Sequence, residues 1–232
     1  MTGTALVAAR GGSRRVPRKN VRDFLGEPSI VRVLRTIRES GVADRVMVST
    51  DDREIAEIGR GAGAEVPELR PATLADDHTP TIDVVRHAIG TWLTESPDSE
   101  ALWVVYPTAL LLRADDLRAA ETRFRASTAS FLVPVLRYPH PVERRLLLGP
   151  DGGLMPVQPE LLGARTQDLK PCFHDAGQFY VGSIAAWRSS SPLLSPASIG
   201  LELPRDRILD IDTPEDWSAA EAYARAAADP SP

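Results

Sequence analysis

Apolar and polar positions along this chain follow two rhythms that trade places. Residues 5–9 are a continuous apolar run of strand length, and over 29–40 the apolar residues Ile30, Val33, Leu34 and Ile37 recur at helical spacing. Residues 45–50 read as a second strand, and Asp51-Asp52 opens a helix carrying Ile55 and Ile58 that Gly59, Gly61 and Gly63 end. Residues 64–69 read as another strand. A longer helix over 79–93 sets Ile82, Val85, Ile89 and Trp92 on one side, and a buried strand at 101–105 leads into Tyr106-Pro107-Thr108. Such alternation predicts an α/β fold with a mostly parallel central sheet flanked by helices.

The rhythm breaks after a strand at 130–136. Tyr138-Pro139-His140-Pro141, Gly149-Pro150-Asp151-Gly152-Gly153 and Pro156 punctuate short apolar stretches, which predicts a small inserted β-rich arm over 138–172. Its few apolar residues cannot make a core alone, so it needs another surface to cover it. The main pattern returns at 179–183 and closes with a strand at 208–212. Thr213 then suits an N-cap, Pro214 the first helical position, and Glu215 and Asp216 the positive end of a helix running to about residue 228. The expectation is a single domain over 1–228 with a frayed tail at 229–232 and no internal repeat.

Composition narrows the partners. With 43% hydrophobic and 25% charged residues in 232, the chain reads as an ordinary soluble domain. A formal net charge of −5 argues against broad binding to nucleic acid. The lone Cys172 excludes an intramolecular disulfide framework, and no signal peptide or spanning apolar stretch is evident, so a cytoplasmic location is expected.

Against that acidic background, the first strand runs into Arg10-Gly11-Gly12-Ser13-Arg14-Arg15-Val16-Pro17-Arg18-Lys19-Asn20. Glycines let a backbone approach a ligand and turn its N–H groups toward one point, and the basic side chains can neutralise a polyphosphate. The position after a buried strand is where open α/β sheets place ligands. The loop lacks the Gly-Lys-Ser/Thr ending of a Walker loop and the third glycine of the dinucleotide fingerprint. Taken alone, the segment is equally compatible with a solvated basic loop.

Asp210 and Asp212 supply the second constellation. Two residues apart on a strand, they would face the same way, and their oxygens suit Mg²⁺, which shares its shell with water and substrate phosphates. The competing reading makes Asp212 part of the helix cap and Asp210 a surface acid.

Several motifs in order carry a resemblance along nearly the whole chain: ARGGSRRVPRKN, VSTDD at 48–52, RPATLADDHT at 70–79, YPTA at 106–109 and DIDTPEDW at 210–217. The chain resembles the nonulosonic acid cytidylyltransferases, the CMP-sialic acid synthetase family. RTQDLKPCFHDAGQFYVG at 165–182 is most similar to the pseudaminic acid branch. The resemblance implies a Rossmann-like nucleotidyltransferase fold. It also implies transfer of CMP from CTP to the anomeric hydroxyl of an acidic nine-carbon sugar, release of pyrophosphate, a Mg²⁺ cofactor and a homodimer built through the arm.

Residue by residue, the resemblance implies that Arg10 and Lys19 hold the triphosphate, with Gly11, Gly12 and Ser13 as close backbone and Arg14 beside them. Asn20, Arg70, Thr79 and Thr81 fall at cytidine-binding positions, and Asp210 and Asp212 at the metal-binding pair. Arg10, Lys19 and Asp212 are then the catalytic set, since such a displacement needs alignment and charge neutralisation. Tyr106, Arg165, Gln167, His174, Asp175, Gln178 and Tyr180 are candidates for the sugar pocket. His174 is also a weaker candidate for a general base, and Asp76 and Asp77 read as turn and cap residues.

The chain departs from the family pattern at Arg14, often lysine, at Leu110, usually proline, and at Glu143, a glutamine in the pseudaminic branch. Two alternatives accompany the main reading. One is a nucleotidyltransferase for N-acetylneuraminic, legionaminic or another ulosonic acid, or a sugar phosphate; the other is a catalytically silent nucleotide-binding regulator.

Overall fold

Residues 3–76, 78–98 and 100–228 are described by a computed structural model. Asp77 and the tail at 229–232 lie outside the described residues. In chain order the strands are β1 (Gly3–Ala8), β2 (Asp23–Phe24), β3 (Glu27–Pro28), β4 (Arg45–Ser49), β5 (Ala101–Val105), β6 (Phe131–Arg137), β7 (Leu146–Leu148), β8 (Leu154–Pro156), β9 (Phe173–Asp175), β10 (Phe179–Ser183) and β11 (Ser198–Glu202). The α-helices are α1 (Ser29–Ser40), α2 (Arg53–Gly61), α3 (Thr81–Trp92), α4 (Ala114–Arg125), α5 (Ile184–Arg188) and α6 (Pro214–Ala228).

One central sheet takes the order β11-β6-β10-β5-β1-β4, with β9 added alongside β6. β1 pairs in parallel with β4 and β5, and β11 with β6, but β10 runs antiparallel to both β5 and β6, as β9 does to β6. Five of the seven strands thus run in one direction, the mostly parallel sheet expected, and β9 and β10 are its antiparallel members. Its strands alternate strictly between two apolar layers. Ala5, Val7, Val48, Trp103, Val105 and Leu132 face one layer, with α1, α4 and α6, while Leu6, Met47, Leu102, Val104 and Val133 face the other, with α3 and α5. That period of two is what burial on both faces demands of a strand.

Local chemistry explains the helix ends that frame the site. Asp52 accepts the N–H of Ile55 at 3.1 Å and caps α2, and Gly41 closes α1 at φ 69°. At α6, Asp216 N–H donates to the Thr213 hydroxyl at 3.2 Å, and the Asp216 carboxylate accepts the N–H groups of Asp212 and Thr213 at 3.0 and 2.8 Å. Trp217, one residue later, is buried edge-on against Phe24 at 5.5 Å between centroids. This fixes the start of α6, and with it Asp212, against the segment following the basic loop.

Two expected strands are absent. Residues 64–69 pair with the sheet through Glu65 alone, whose N–H donates to Val46 O at 2.8 Å and whose carbonyl accepts from Val48 N at 2.9 Å. Residues 208–212 lie outside the sheet, although Ile211 is buried. Alternating apolarity there reports one buried side and not a ladder. The arm contains the two-strand hairpin β7–β8 and three 3-10 turns, at Val142–Arg144, Pro159–Leu161 and Thr166–Asp168. No described helix is long and apolar enough to cross a membrane.

Candidate active site

The C-terminal ends of β1 and β5 open onto a cleft of about 280 Å³, whose lining includes Arg10, Lys19, Asn20, Arg70, Thr81 and Tyr106. Ser13, Asp76, Thr79 and Thr108 also line it. The basic loop thus faces a wall of hydroxyl groups, as a site for an anionic, hydrogen-bonding ligand requires.

Each loop residue has a distinct assignment. Arg10 donates to the Asp76 carbonyl at 3.0 Å, and Asn20 Nδ2 donates to the Arg10 carbonyl at 2.9 Å. Asn20 is buried, and its Oδ1 has no partner. Lys19 Nζ donates to Ile211 O at 2.6 Å and lies 3.9 Å from Asp212 Oδ1, while Arg15 meets the same carboxylate oxygen at 2.7 Å. Burial pushes the Lys19 ammonium below its ordinary value, and Asp212 and Asp210 oppose that shift. Arg14 is exposed. Arg18 turns away from the cleft at φ 55° and pairs with Asp52 at 2.5 Å and with Glu54.

The two glycines differ, which corrects the expectation that both offer N–H groups to a ligand. Gly11 N–H is already given to Asp51 Oδ1 at 3.0 Å, and a Cβ there would stand 2.6 Å from Asp52 Oδ2. Its missing side chain makes room for Asp52. Gly12 is exposed and has nothing within 4 Å of the corresponding point, so it is the glycine that leaves the backbone open to close approach.

Arg70 is the most deeply held cation of the cleft. Its side chain is 3% exposed, its nearest carboxylate oxygen is Asp51 Oδ1 at 3.6 Å, and its Nε is buried without an acceptor. Burial lowers its pKa, with Asp51 opposing. Asp76 behaves as the turn residue expected: its carboxylate accepts the N–H groups of His78 and Thr79 at 2.8 and 2.6 Å and the Thr79 hydroxyl at 2.8 Å. Those bonds hold its pKa below the usual carboxylate range.

On the opposite wall, the Thr81 and Tyr106 hydroxyls are 3.3 Å apart, and the Tyr106 and Tyr180 rings meet edge-on at 5.8 Å. Tyr180 donates to Asp175 Oδ2 at 2.7 Å, and burial, the neighbouring Tyr106 phenol and that bond raise its pKa, so it stays a donor. Gln178 is buried, its side chain donating Nε2 to Ala176 O at 3.1 Å while its backbone carbonyl accepts Tyr106 N–H at 2.9 Å. It supports the wall from behind. The turn after Tyr106 closes without a proline at 110, through Ala109 N–H to Tyr106 O at 3.1 Å, with Leu110 buried.

The other sugar-pocket candidates stand elsewhere in the chain. Arg165 pairs with Asp168 at 2.7 Å on the arm, Gln167 is exposed there, and His174 stacks near Tyr138 at 4.9 Å between centroids. None of the three lines the cleft. Glu143 lies in the arm, where its Oε1 accepts the Cys172 thiol at 3.8 Å.

Asp210 and Asp212 do not share a strand face as expected, because 208–212 is not a strand; Asp210 is exposed and Asp212 half-buried. Both nonetheless act on Lys19. Among the described residues no group of three or more His, Cys, Asp or Glu side chains forms a metal cage. Two hard carboxylate donors beside a basic loop still fit a magnesium ion that takes its remaining ligands from water and phosphate. Asp51 and Arg15 were not singled out in the sequence as site residues. The signal for Asp51 is its place just beyond β4, the parallel neighbour of the loop-bearing β1.

Comparison with known proteins identifies a nucleotidyltransferase and specifies its family. The Cytidylyltransferase family model matches residues 4–91. The chain is 34% identical over 221 residues to the pseudaminic acid cytidylyltransferase of Campylobacter jejuni subsp. jejuni, covering 95% of each chain. It is 27% identical to the CMP-N,N'-diacetyllegionaminic acid synthase of Legionella pneumophila, covering 94% of each. The solved structure of CMP:2-keto-3-deoxy-manno-octonic acid synthetase in complex with CTP shares the fold at a TM-score of 0.69 and 15% identity, over 97% of this chain and 99% of that one. The chain belongs to the nonulosonic acid cytidylyltransferase family, the CMP-sialic acid synthetases, and groups there with the pseudaminic acid cytidylyltransferases.

Proposed function

We propose that this enzyme transfers CMP from CTP to the anomeric hydroxyl of a nonulosonic acid, with pseudaminic acid as the acceptor. The observation that carries this reading is the cleft itself, where Arg10, Lys19 and the buried Arg70 converge opposite the hydroxyls of Thr79, Thr81 and Tyr106. The anomeric oxygen attacks the α-phosphorus, the bond from that phosphorus to the bridging oxygen breaks, pyrophosphate leaves with the electron pair, and the hydroxyl proton passes to water. Lys19 and Arg10 neutralise the departing charge, Gly12 gives the phosphates close backbone, and Arg70 and Asn20 offer unpaired buried polar atoms to the nucleoside end. Asp210 and Asp212 would hold Mg²⁺, which when bound screens the phosphates and polarises the α-phosphorus.

The acceptor assignment is supported by the relatives of pseudaminic acid specificity and by RTQDL and HDAGQFY at 165–169 and 174–180. A homodimer is supported by the arm, where Leu147, Leu148 and Leu154 are 57%, 73% and 64% exposed on one hairpin. In such a dimer Arg165, Gln167 and His174 would serve the neighbouring cleft. A cytoplasmic location fits the nucleotide substrate.

Pyrophosphate release from CTP, measured with and without Mg²⁺ against pseudaminic, N-acetylneuraminic and legionaminic acids, tests the whole reading. Pseudaminic acid should give the highest kcat/KM, and chelation should abolish turnover. A higher kcat/KM for another acid rejects the acceptor, and CTP binding with no release on any acid rejects the enzyme in favour of a regulator.

A further inference from the structure

Behind the basic loop stand two acids that triphosphate chemistry does not ask for. Asp51 and Asp52 follow the end of β4 and so emerge from the sheet beside residues 10–12 at the end of β1. Their tasks are separate. Asp52 caps α2, pairs with Arg18 and fills the space that a side chain on residue 11 would occupy. Asp51 instead faces the cleft's own components with a single oxygen, accepting Gly11 N–H at 3.0 Å and standing 3.6 Å from Arg70 Nη2.

A carboxylate directly behind the wall of a polyanion site is adverse on charge alone, because like charges repel most where water is excluded. Arg70 shows what offsets it. The guanidinium is almost wholly buried, its Nε has no acceptor, and its backbone N–H is pinned to Thr50 O at 2.7 Å, one residue before Asp51. The 3.6 Å separation is too long for a tight hydrogen-bonded pair, so Asp51 orients Arg70 without saturating it.

We propose that Asp51 is a positioning residue for the nucleotide: one carboxylate oxygen sets the Gly11 amide, and so the course of the loop, and aims the Arg70 guanidinium into the cleft. This rests on the cleft being the CTP site.

The two explanations of Asp51 differ in sign. If it is merely a nearby negative charge, neutralising it strengthens CTP binding; if it positions Gly11 and Arg70, neutralising it weakens binding. The test is calorimetric titration of CTP into the full chain and its Asp51→Asn and Asp51→Ala variants, with thermal unfolding and steady-state kinetics alongside. Asp51→Asn keeps an acceptor for Gly11 and loses the charge facing Arg70, so it should bind CTP several-fold more weakly, and Asp51→Ala about tenfold or more. The acceptor KM should stay within about twofold, since the opposite wall does not touch Asp51. Equal or tighter CTP binding by the folded Asn variant overturns the proposal, as does a matching rise in acceptor KM. If Asp51→Ala does not fold, the Asn variant decides by the same criteria. Failure of the unaltered protein to bind CTP would instead overturn the functional reading.

Discussion

The basic loop and the arm invert the usual relation between chemistry and burial. The loop is polar and glycine-rich, yet much of it is engaged within the chain: Arg10 on Asp76, Gly11 on Asp51, Arg18 on Asp52, Lys19 on Ile211 and Asn20 on Arg10. The arm hairpin is apolar, yet Leu146, Leu147, Leu148, Leu154 and Met155 are all about half-exposed or more. The difference teaches that the loop is organised by its own chain before any ligand arrives, whereas the arm lacks a surface that the chain does not itself provide. Preorganised charge is what a displacement at phosphorus benefits from, because no reorganisation is then needed during reaction.

Removing the loop's charge should have the largest effect. Lys19→Ala is expected to lower kcat/KM for CTP by about 10²–10³-fold, as loss of one charge-stabilising donor does, while light scattering shows an unchanged assembly. A loss below about threefold would remove Lys19 from the phosphate role.

The sheet between the two regions should tolerate little. A Cβ at Gly182 on β10 would stand 2.7 Å from Phe131 Cε1 and 2.9 Å from the Ser130 carbonyl, so Gly182→Ala is an overpacking change. It is expected to cost about 1–3 kcal/mol in urea unfolding; a cost under about 0.5 kcal/mol would mean that β6 yields freely at this point.

The arm should show the smallest effect on the fold of the single chain. Leu148→Asp is expected to change the unfolding free energy of the separated monomer by no more than about 0.5 kcal/mol, since it alters an exposed position. The same variant should shift light scattering from dimer to monomer at micromolar concentration. A monomeric parent protein, or an unaffected dimer, would erase the contrast drawn between loop and arm.

Much of the body was legible because its signals are local. The helical spacing of Ile30, Val33, Leu34 and Ile37 marks α1 over its observed span, and the apolar run before Arg10 marks β1 and the loop's place at its end. Less was legible where pairing or direction depends on distant segments. α4 has only Leu117 and Ala120 as buried apolar residues and no strong stripe, and it was not anticipated. The orientation of β10 is invisible in its own five residues, because a strand's composition does not state which way its neighbours run. In the site, the basic cluster was evident but its internal division was not. Arg18 and Gly11 turn toward Asp52 for reasons that appear only when β1 and β4 lie side by side.

The single rung at Glu65 bears on how this molecule stays apart from its copies. β4 is the last strand on its side of the sheet, and a bare sheet edge is a template on which another chain can add strands. Here one residue occupies the ladder between Val46 and Val48 and the chain then leaves, so no continuous edge is presented. Its carboxylate also pairs with Arg45 at 2.8 Å, placing charge where an intruding strand would have to lie. A segment that is not a strand thereby serves as a guard against fibrous assembly, and steers self-association away from this edge of the sheet.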